Sequence, residues 1–451
     1  MRATPRFLSH LIAGCLCTVS AVHAADLLDV YRLASENDPE IRAAAAVHAA
    51  AQEARPKSLS QLLPQVSASA DTARIHEEIS ETTGGLLPDS TSSFVNHGYG
   101  LNLIQSIYHH DYYALLRQSG SRIAKANADY GTAQQNLILH SAERYFDVLA
   151  AEESLTFARS QMKSLALRLT EAKQRYAVGA IALTVVQEIQ ARYDLSVAQE
   201  ITAVNKLDSA RDALHALTGG EHEILSRVVE QLPLAAPDPQ DMALWVNMAL
   251  QQNLELFAAQ AVEETAREEI TRQRAGHMPS LDLVASYRLD DVGGGSFGER
   301  KSKESSVGVQ LNVPLLRGGL VNAQTREAAQ LYIQAREQRM QTQRAVERAA
   351  RDAYRGVTAS ISTVQALKQA VVSNQAALEA VEGGYQVGKR TVVDVLDAQS
   401  NLYRAKHNYA DTRYNYLLST LRLKQAVGAL IPKDLEQINT NLIAPPVKTG
   451  K

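Results

Sequence analysis

The chain has 451 residues, of which 45% are hydrophobic and only 5% aromatic, and its formal net charge is -3. This mildly acidic balance does not suggest a nucleic-acid partner, and the aromatic content is low for the core of a globular enzyme. Its two cysteines, Cys15 and Cys17, lie close to the start. The rest of the chain therefore has no thiol for a disulfide, a zinc site or a nucleophile.

Residues 1–24 are predicted to be a secretory signal peptide. Arg2 and Arg6 give a basic start, residues 7–22 form an apolar run, and Ala24 ends a small-residue cleavage signal. In a competing interpretation Cys15, which lies in a lipoprotein-like box, is lipidated instead. Cleavage after Ala24 moves the formal net charge from -3 to -5. No later stretch of ~20 apolar residues occurs, so no transmembrane helix is predicted.

A first structural repeat is assigned to residues 25–232. Its predicted elements, in chain order, are a helical segment over residues 27–55, β-strands at about 64–76 and 94–108, and a long helical hairpin at about 110–217. A Tyr-Ala-Val-Gly sequence that ends at Gly179 is predicted to form the turn at the tip of this hairpin.

A second repeat, residues 233–430, has the same order of elements. These are a helical segment over residues 241–274, β-strands at about 279–290 and 305–316, and a helical hairpin at about 319–427, followed by a short C-terminal segment, residues 431–451. The glycines at 293–295 and the charged residues 299–304 are predicted to form the loop between the strands. Matching motifs recur about 210 residues apart, which indicates a duplicated domain. Gly388 marks the turn that corresponds to Gly179.

The predicted strands have the pattern of membrane-spanning strands. Apolar and polar residues alternate from Leu281 to Asp290 and from Val307 to Leu315, which suits one face in lipid and one in water. Open strand edges are not tolerated in lipid, and a membrane barrel needs ~8 strands or more. Four strands per chain therefore predict a barrel shared between several copies.

The long helices have the pattern of a coiled coil. Residues 319–385 contain no proline and would extend for ~100 Å as one helix. Small and apolar residues recur every three or four positions from Ala350 to Tyr385, as in a heptad seam. Strands continued by helices of this length predict a conduit.

These features together resemble the TolC-type outer-membrane efflux and secretion channel family. The resemblance covers nearly the whole chain after the leader. The motifs that carry it are Asn37-Asp38-Pro39-Glu40, Gly276-His277-Met278-Pro279, Gly318-Gly319-Leu320-Val321-Asn322, Tyr385-Gln386-Val387-Gly388 and Val392-Val393-Asp394-Val395-Leu396-Asp397.

The resemblance implies a mainly α-helical fold with a transmembrane β-barrel. It implies a homotrimer in which each protomer gives four strands to a 12-stranded barrel in outer-membrane lipid of a Gram-negative bacterium, continued by a helical tunnel through the periplasm. It further implies a periplasmic adaptor protein and an inner-membrane RND or ABC transporter as partners. The cargo, drugs or secreted polypeptides, stays open, and neither enzymatic activity nor a cofactor is expected.

Two aspartates near the second tip, Asp394 and Asp397, are the candidate pore residues. Two carboxylates three residues apart on one helix lack the further ligands of a metal site and the separation of an acid/base pair. They are most simply a solvated helix face, but in a trimer each would become a ring of three, and acidic rings select cations. The resemblance places such a pair at the periplasmic constriction. Mutual repulsion within and between these rings is expected to raise the pKa values of both aspartates.

Four further residues are candidates for a gate. The resemblance assigns Tyr385 and Arg390 to a lock that holds the entrance shut, with Thr184 at the partner position on the other hairpin. The family pattern has an acidic residue after this threonine, but this chain has Val185. Glu188, one helical turn further, is hypothesised to replace the missing charge as a partner of Arg390.

Two other classes of protein fit the sequence less well. A soluble periplasmic coiled-coil or adaptor protein would explain the helices but not four alternating strands in two equivalent positions. A general diffusion porin would consist mostly of strands.

Overall fold

Two long helical hairpins dominate the computed structural model of the chain, which describes residues 24–80, 90–220, 224–295 and 298–444. Helix α4 (His110–Ala177) returns as α5 (Leu183–Thr218), and α8 (Leu320–Gln386) returns as α9 (Val392–Ala426). At 1.5 Å per residue, α4 with 68 residues and α8 with 67 each extend for ~100 Å. No helix in the described ranges is long and apolar enough to cross a membrane. The predicted leader up to His23, with Cys15, lies outside the described residues.

The shorter helical segments are interrupted where continuous helix was expected. The first comprises α1 (Leu27–Asn37), α2 (Pro39–Gln52) and α3 (Ala54–Ser60). The second comprises α6 (Met242–Gln252) and α7 (Leu254–Arg274), followed by a 3-10 turn at Ala275–His277. Asp38 and Asn253 adopt extended backbone at equivalent breaks, and each side chain accepts a hydrogen bond from the next helix's first turn. An N-cap must leave the helical conformation, so each cap ends the preceding helix.

Four antiparallel strands form one sheet, in the order β1-β2-β4-β5. The strands are β1 (Gln65–Ile79), β2 (Ser90–Tyr108), β4 (Ser280–Gly293) and β5 (Glu299–Asn312). The prediction that residues 299–304 form a loop is wrong, because they pair with β4. Lys301 reaches Asp291 across the two strands at 2.8 Å, so charges that suggested a loop stabilise strand pairing instead. Strand β5 also ends at Asn312, shortly before Pro314, whereas the prediction placed its end at about residue 316.

The main apolar core lies around the middle of the long helices. Tyr145 and Phe146 of α4 are fully buried there, and Phe146 stacks on Tyr414 of α9. The Tyr145 hydroxyl donates a 2.6 Å hydrogen bond to the Ser226 carbonyl, which fixes the connecting segment to the hairpin. This region also contains the short strands β3 (Arg227–Val228) and β6 (Leu442–Ile443) and helix α10 (Pro432–Asn439). Because α4 starts where β2 ends, the sheet and the hairpin tips lie at opposite ends of ~100 Å helices.

Candidate functional site

The two hairpin tips have the same glycine-centred turn. Gly179 has φ 73° and Gly388 has φ 74°, in the left-handed region where a side chain is disfavoured. The amide of the residue after each glycine donates at 2.8 Å, from Ala180 to the Arg175 carbonyl and from Lys389 to the Gly384 carbonyl. These bonds satisfy helix C-terminal carbonyls, so each long helix ends at a defined point.

Asp394 lies in the first turn of α9 and forms a capping box with Thr391. Its carboxylate accepts hydrogen bonds from the Thr391 backbone N–H at 2.8 Å and the Thr391 hydroxyl at 2.9 Å. The Asp394 N–H donates to the same hydroxyl at 3.2 Å. These bonds, and then the nearby positive charge of Arg390, lower the pKa of Asp394. The rise expected from repulsion within and between the rings of a trimer stays a prediction; within the protomer, hydrogen bonding favours the ionised form of Asp394 instead.

Asp397, one turn further along α9, has a cationic partner from the other hairpin. Arg192 of α5 donates from Nη1 to Asp397 Oδ1 at 2.5 Å, and its Nη2 lies 3.4 Å from Glu188 Oε1. The hydrogen bond to Asp397 raises the pKa of the Arg192 guanidinium, a group that is charged at any physiological pH. Sequence reasoning did not identify Arg192. A usable signal was present, since Arg192 is the first basic residue of α5 and stands four positions after Glu188.

The four gate candidates form separate contacts in the structure and do not form one shared lock within the protomer. The Tyr385 hydroxyl accepts a 2.7 Å hydrogen bond from Arg175 Nη1, which joins the ends of α8 and α4. Arg390 packs on Gly384 of its own hairpin and forms no ion pair with any described residue. Thr184 is exposed in the first turn of α5. Glu188 has Arg192, rather than Arg390, as its partner within the protomer.

An apolar cluster lies beside these polar contacts and joins the two hairpins. We call it the tip cluster; its buried members are Leu165, Leu169, Ala172, Val186, Ile189 and Leu396. Leu396 comes from α9 and the others from the first hairpin, and Val185 packs against the cluster from its edge. The neighbouring Val395 packs instead on Leu378 and Leu402 of its own hairpin. Consecutive residues of α9 therefore hold together different parts of the tip.

The chemistry available at the tips is electrostatic. Within the described part of the chain, no three His, Cys, Asp or Glu side chains are grouped so as to hold a metal ion. Exposed carboxylates, a tyrosine hydroxyl and guanidinium groups lie at the end of the hairpins. Such groups can attract or repel ions and can hold the tips together through contacts that break when the hairpins separate.

Known proteins resemble this chain over most of its length. The family model described as "Outer membrane efflux protein" matches residues 30–220 and 245–429. The outer membrane protein TolC of Escherichia coli K12 is 36% identical over 442 residues, which cover 96% of this chain and 87% of that protein. The alkaline protease secretion protein AprF of Pseudomonas aeruginosa is 28% identical, covering 93% of this chain and 88% of its own.

The fold also matches solved structures. The Campylobacter jejuni CmeC outer membrane channel superposes with a TM-score of 0.77 at 18% identity, covering 92% of this chain and 89% of that channel. The resemblance inferred from the sequence motifs is thereby confirmed. The chain belongs to the outer membrane efflux protein family, and it is an outer-membrane channel of the kind that serves efflux and secretion.

Proposed function

We propose that three copies of this chain form a single 12-stranded barrel in the outer membrane, each copy contributing the four strands of two equivalent repeats, residues 25–232 and 233–430. The observation that carries the proposal is the sheet itself. Its outer strands β1 and β5 each have one edge without a partner in the described part of the chain. They run antiparallel to each other, so pairing β5 with β1 of the next copy keeps the whole barrel antiparallel.

Exposed apolar residues on β5 support this assembly. Val307, Val309 and Leu311 are 78%, 63% and 62% exposed in the protomer, and they occupy alternate positions on one face of the strand. A single face of alternating apolar residues is what lipid contact requires of a barrel strand.

The tips would form the periplasmic entrance of the duct. Threefold symmetry turns Asp394 and Asp397 into rings that favour cations. Tyr385, Arg390 and Thr184 belong to the gate that holds the entrance closed, and Glu188 on the first hairpin acts there through Arg192, its partner at 3.4 Å. The turns at Gly179 and Gly388 keep the tips compact.

The duct would work with a periplasmic adaptor protein and an inner-membrane transporter of the RND or ABC type. One relative is named for protease secretion, so export of polypeptides stands beside efflux of small molecules as the cargo. Identifying the genes that flank this one would distinguish the two, because the pump selects the cargo.

Cysteine cross-linking tests the assembly. Ala68→Cys on β1 is combined in turn with Val307→Cys, Val309→Cys or Leu311→Cys on β5, because the register between copies has to be found. At least one pair should give disulfide-linked trimers on non-reducing gels. Ala68→Cys with Leu283→Cys on β4 is the control and should stay monomeric, since β2 separates these strands. If no β1–β5 pair cross-links in membranes, the proposed barrel is wrong.

A further inference from the structure

A short ion pair joins the two hairpins of the protomer close to their tips. Arg192 of α5 and Asp397 of α9 approach to 2.5 Å, although 205 residues separate them. The Arg192 side chain is 31% exposed and that of Asp397 is 57% exposed. Partly sheltered charge-assisted bonds of this kind are stronger than fully exposed pairs, yet they can be broken by modest forces.

The two aspartates of the tip are therefore not equivalent. Asp394 is hydrogen-bonded by Thr391 of its own helix and has no cation within ion-pair distance among the described residues. Its surroundings, Thr391 and the nearby charge of Arg390, belong to its own hairpin and do not depend on the position of the first hairpin. The charge of Asp397, by contrast, is compensated only while the side chain of Arg192 on α5 reaches it.

Glu188 gives Arg192 a second partner on its own helix. It lies four residues before Arg192, with Nη2 and Oε1 3.4 Å apart. When the hairpins separate, Arg192 can keep Glu188 while Asp397 loses its partner. The movement thus exposes an anion without leaving a cation unpaired, which keeps its electrostatic cost small.

We propose that Arg192 couples the closure of the tip to its ion selectivity. With the hairpins together, Arg192 links the two hairpins and neutralises Asp397, so that Asp394 is the aspartate that sets the charge of the constriction. With the hairpins apart, Arg192 stays on Glu188 and Asp397 adds a second uncompensated ring. The open channel then prefers cations more strongly than the closed one. This inference rests on the proposed role of the tips as the entrance.

Planar-bilayer recordings of purified trimers test the coupling. In Arg192→Gln, the ratio of open to closed channel should rise about two- to fivefold per protomer, because this is the change that loss of a partly exposed ion pair produces in an equilibrium. The preference for K⁺ over Cl⁻ should rise about fivefold, the factor that one more unit charge at ~4 Å gives in water. Asp397→Asn should open the tip equally but without any gain in cation preference. Arg192→Lys keeps the charge and should restore most of the wild-type behaviour.

Arg159→Gln is the matched control, because Arg159 pairs with Glu200 at 3.0 Å within the first hairpin. It should leave gating and selectivity unchanged. If Arg192→Gln and Asp397→Asn share one selectivity, or if Arg159→Gln acts like Arg192→Gln, the coupling is refuted. Asp394→Asn separates this outcome from failure of the proposed entrance. Asp394→Asn should by itself lower the preference for K⁺ over Cl⁻. If this preference does not change, the tips do not line the conduction path.

Discussion

Truncation of Leu396 tests whether the tip cluster holds the two hairpins together. Leu396 is 4% exposed and packs on Leu165, Leu169, Val186 and Ile189 of the other hairpin. Leu→Ala in a packed core costs about 2–5 kcal/mol, and a cluster at the end of a hairpin can relax, which favours the lower value. If this contact is lost on opening, about 2 kcal/mol raises the open-to-closed ratio roughly 30-fold per protomer. Single-channel recording of the time spent at high conductance measures the effect.

Val395→Ala provides the comparison. Val395 is 1% exposed, but it packs on Leu378 and Leu402 of its own hairpin. Its truncation should lower the stability of the second hairpin and leave the open-to-closed ratio near that of the wild type. The reasoning is refuted if Leu396→Ala conducts like the wild type, or if Val395→Ala opens the channel to the same extent.

Two other predictions concern pH and backbone conformation. Burial of Glu269 raises its pKa, but hydrogen bonds from Arg272, Gln118 and Gln273 outweigh burial and lower the pKa to about 2. The ionised Glu269 therefore stabilises the fold fully above about pH 4.5, and this stabilisation is lost as the pH falls toward 2. After allowance for solvent screening this amounts to about 1–2 kcal/mol, and thermal melts of Glu269→Gln followed by circular dichroism should lack that part of the acid dependence. Gly388→Ala should loosen the tip by about 1 kcal/mol because its φ is 74°, which hydrogen exchange of the turn amides would detect as faster exchange.

The periodicity of the sequence was sufficient to predict the main architecture. Alternation located the four strands, because in a strand successive side chains face opposite environments. The absence of proline over residues 319–385 located α8, because nothing there interrupts the backbone ladder. The breaks at Asp38 and Asn253 were missed because each depends on the backbone angles of one capping residue within an otherwise helical pattern. The strand character of residues 299–304 was missed because it depends on pairing with a strand that could not be aligned beforehand.

Less of the geometry at the hairpin tips could be predicted from the sequence. The capping box that lowers the pKa of Asp394 was visible as Thr391 followed three residues later by an aspartate. The expectation of a raised pKa considered charges alone and overlooked these local hydrogen bonds. The pairing of Arg192 with Asp397 could not have been found from local pattern, since it depends on how two separate hairpins pack.

The edge of β5 that has no partner among the described residues has a consequence for a newly exported protomer. The N-terminal half of β5, beginning at Glu299, contains many charged residues, whereas the C-terminal half exposes Val307, Val309 and Leu311. Charged residues on an edge strand discourage pairing with foreign strands, so the charged half is protected while the apolar half is prone to aggregation. A lone chain is thus at risk during its passage to the membrane, and we expect chaperones that bind extended apolar segments to recognise residues 307–311 first.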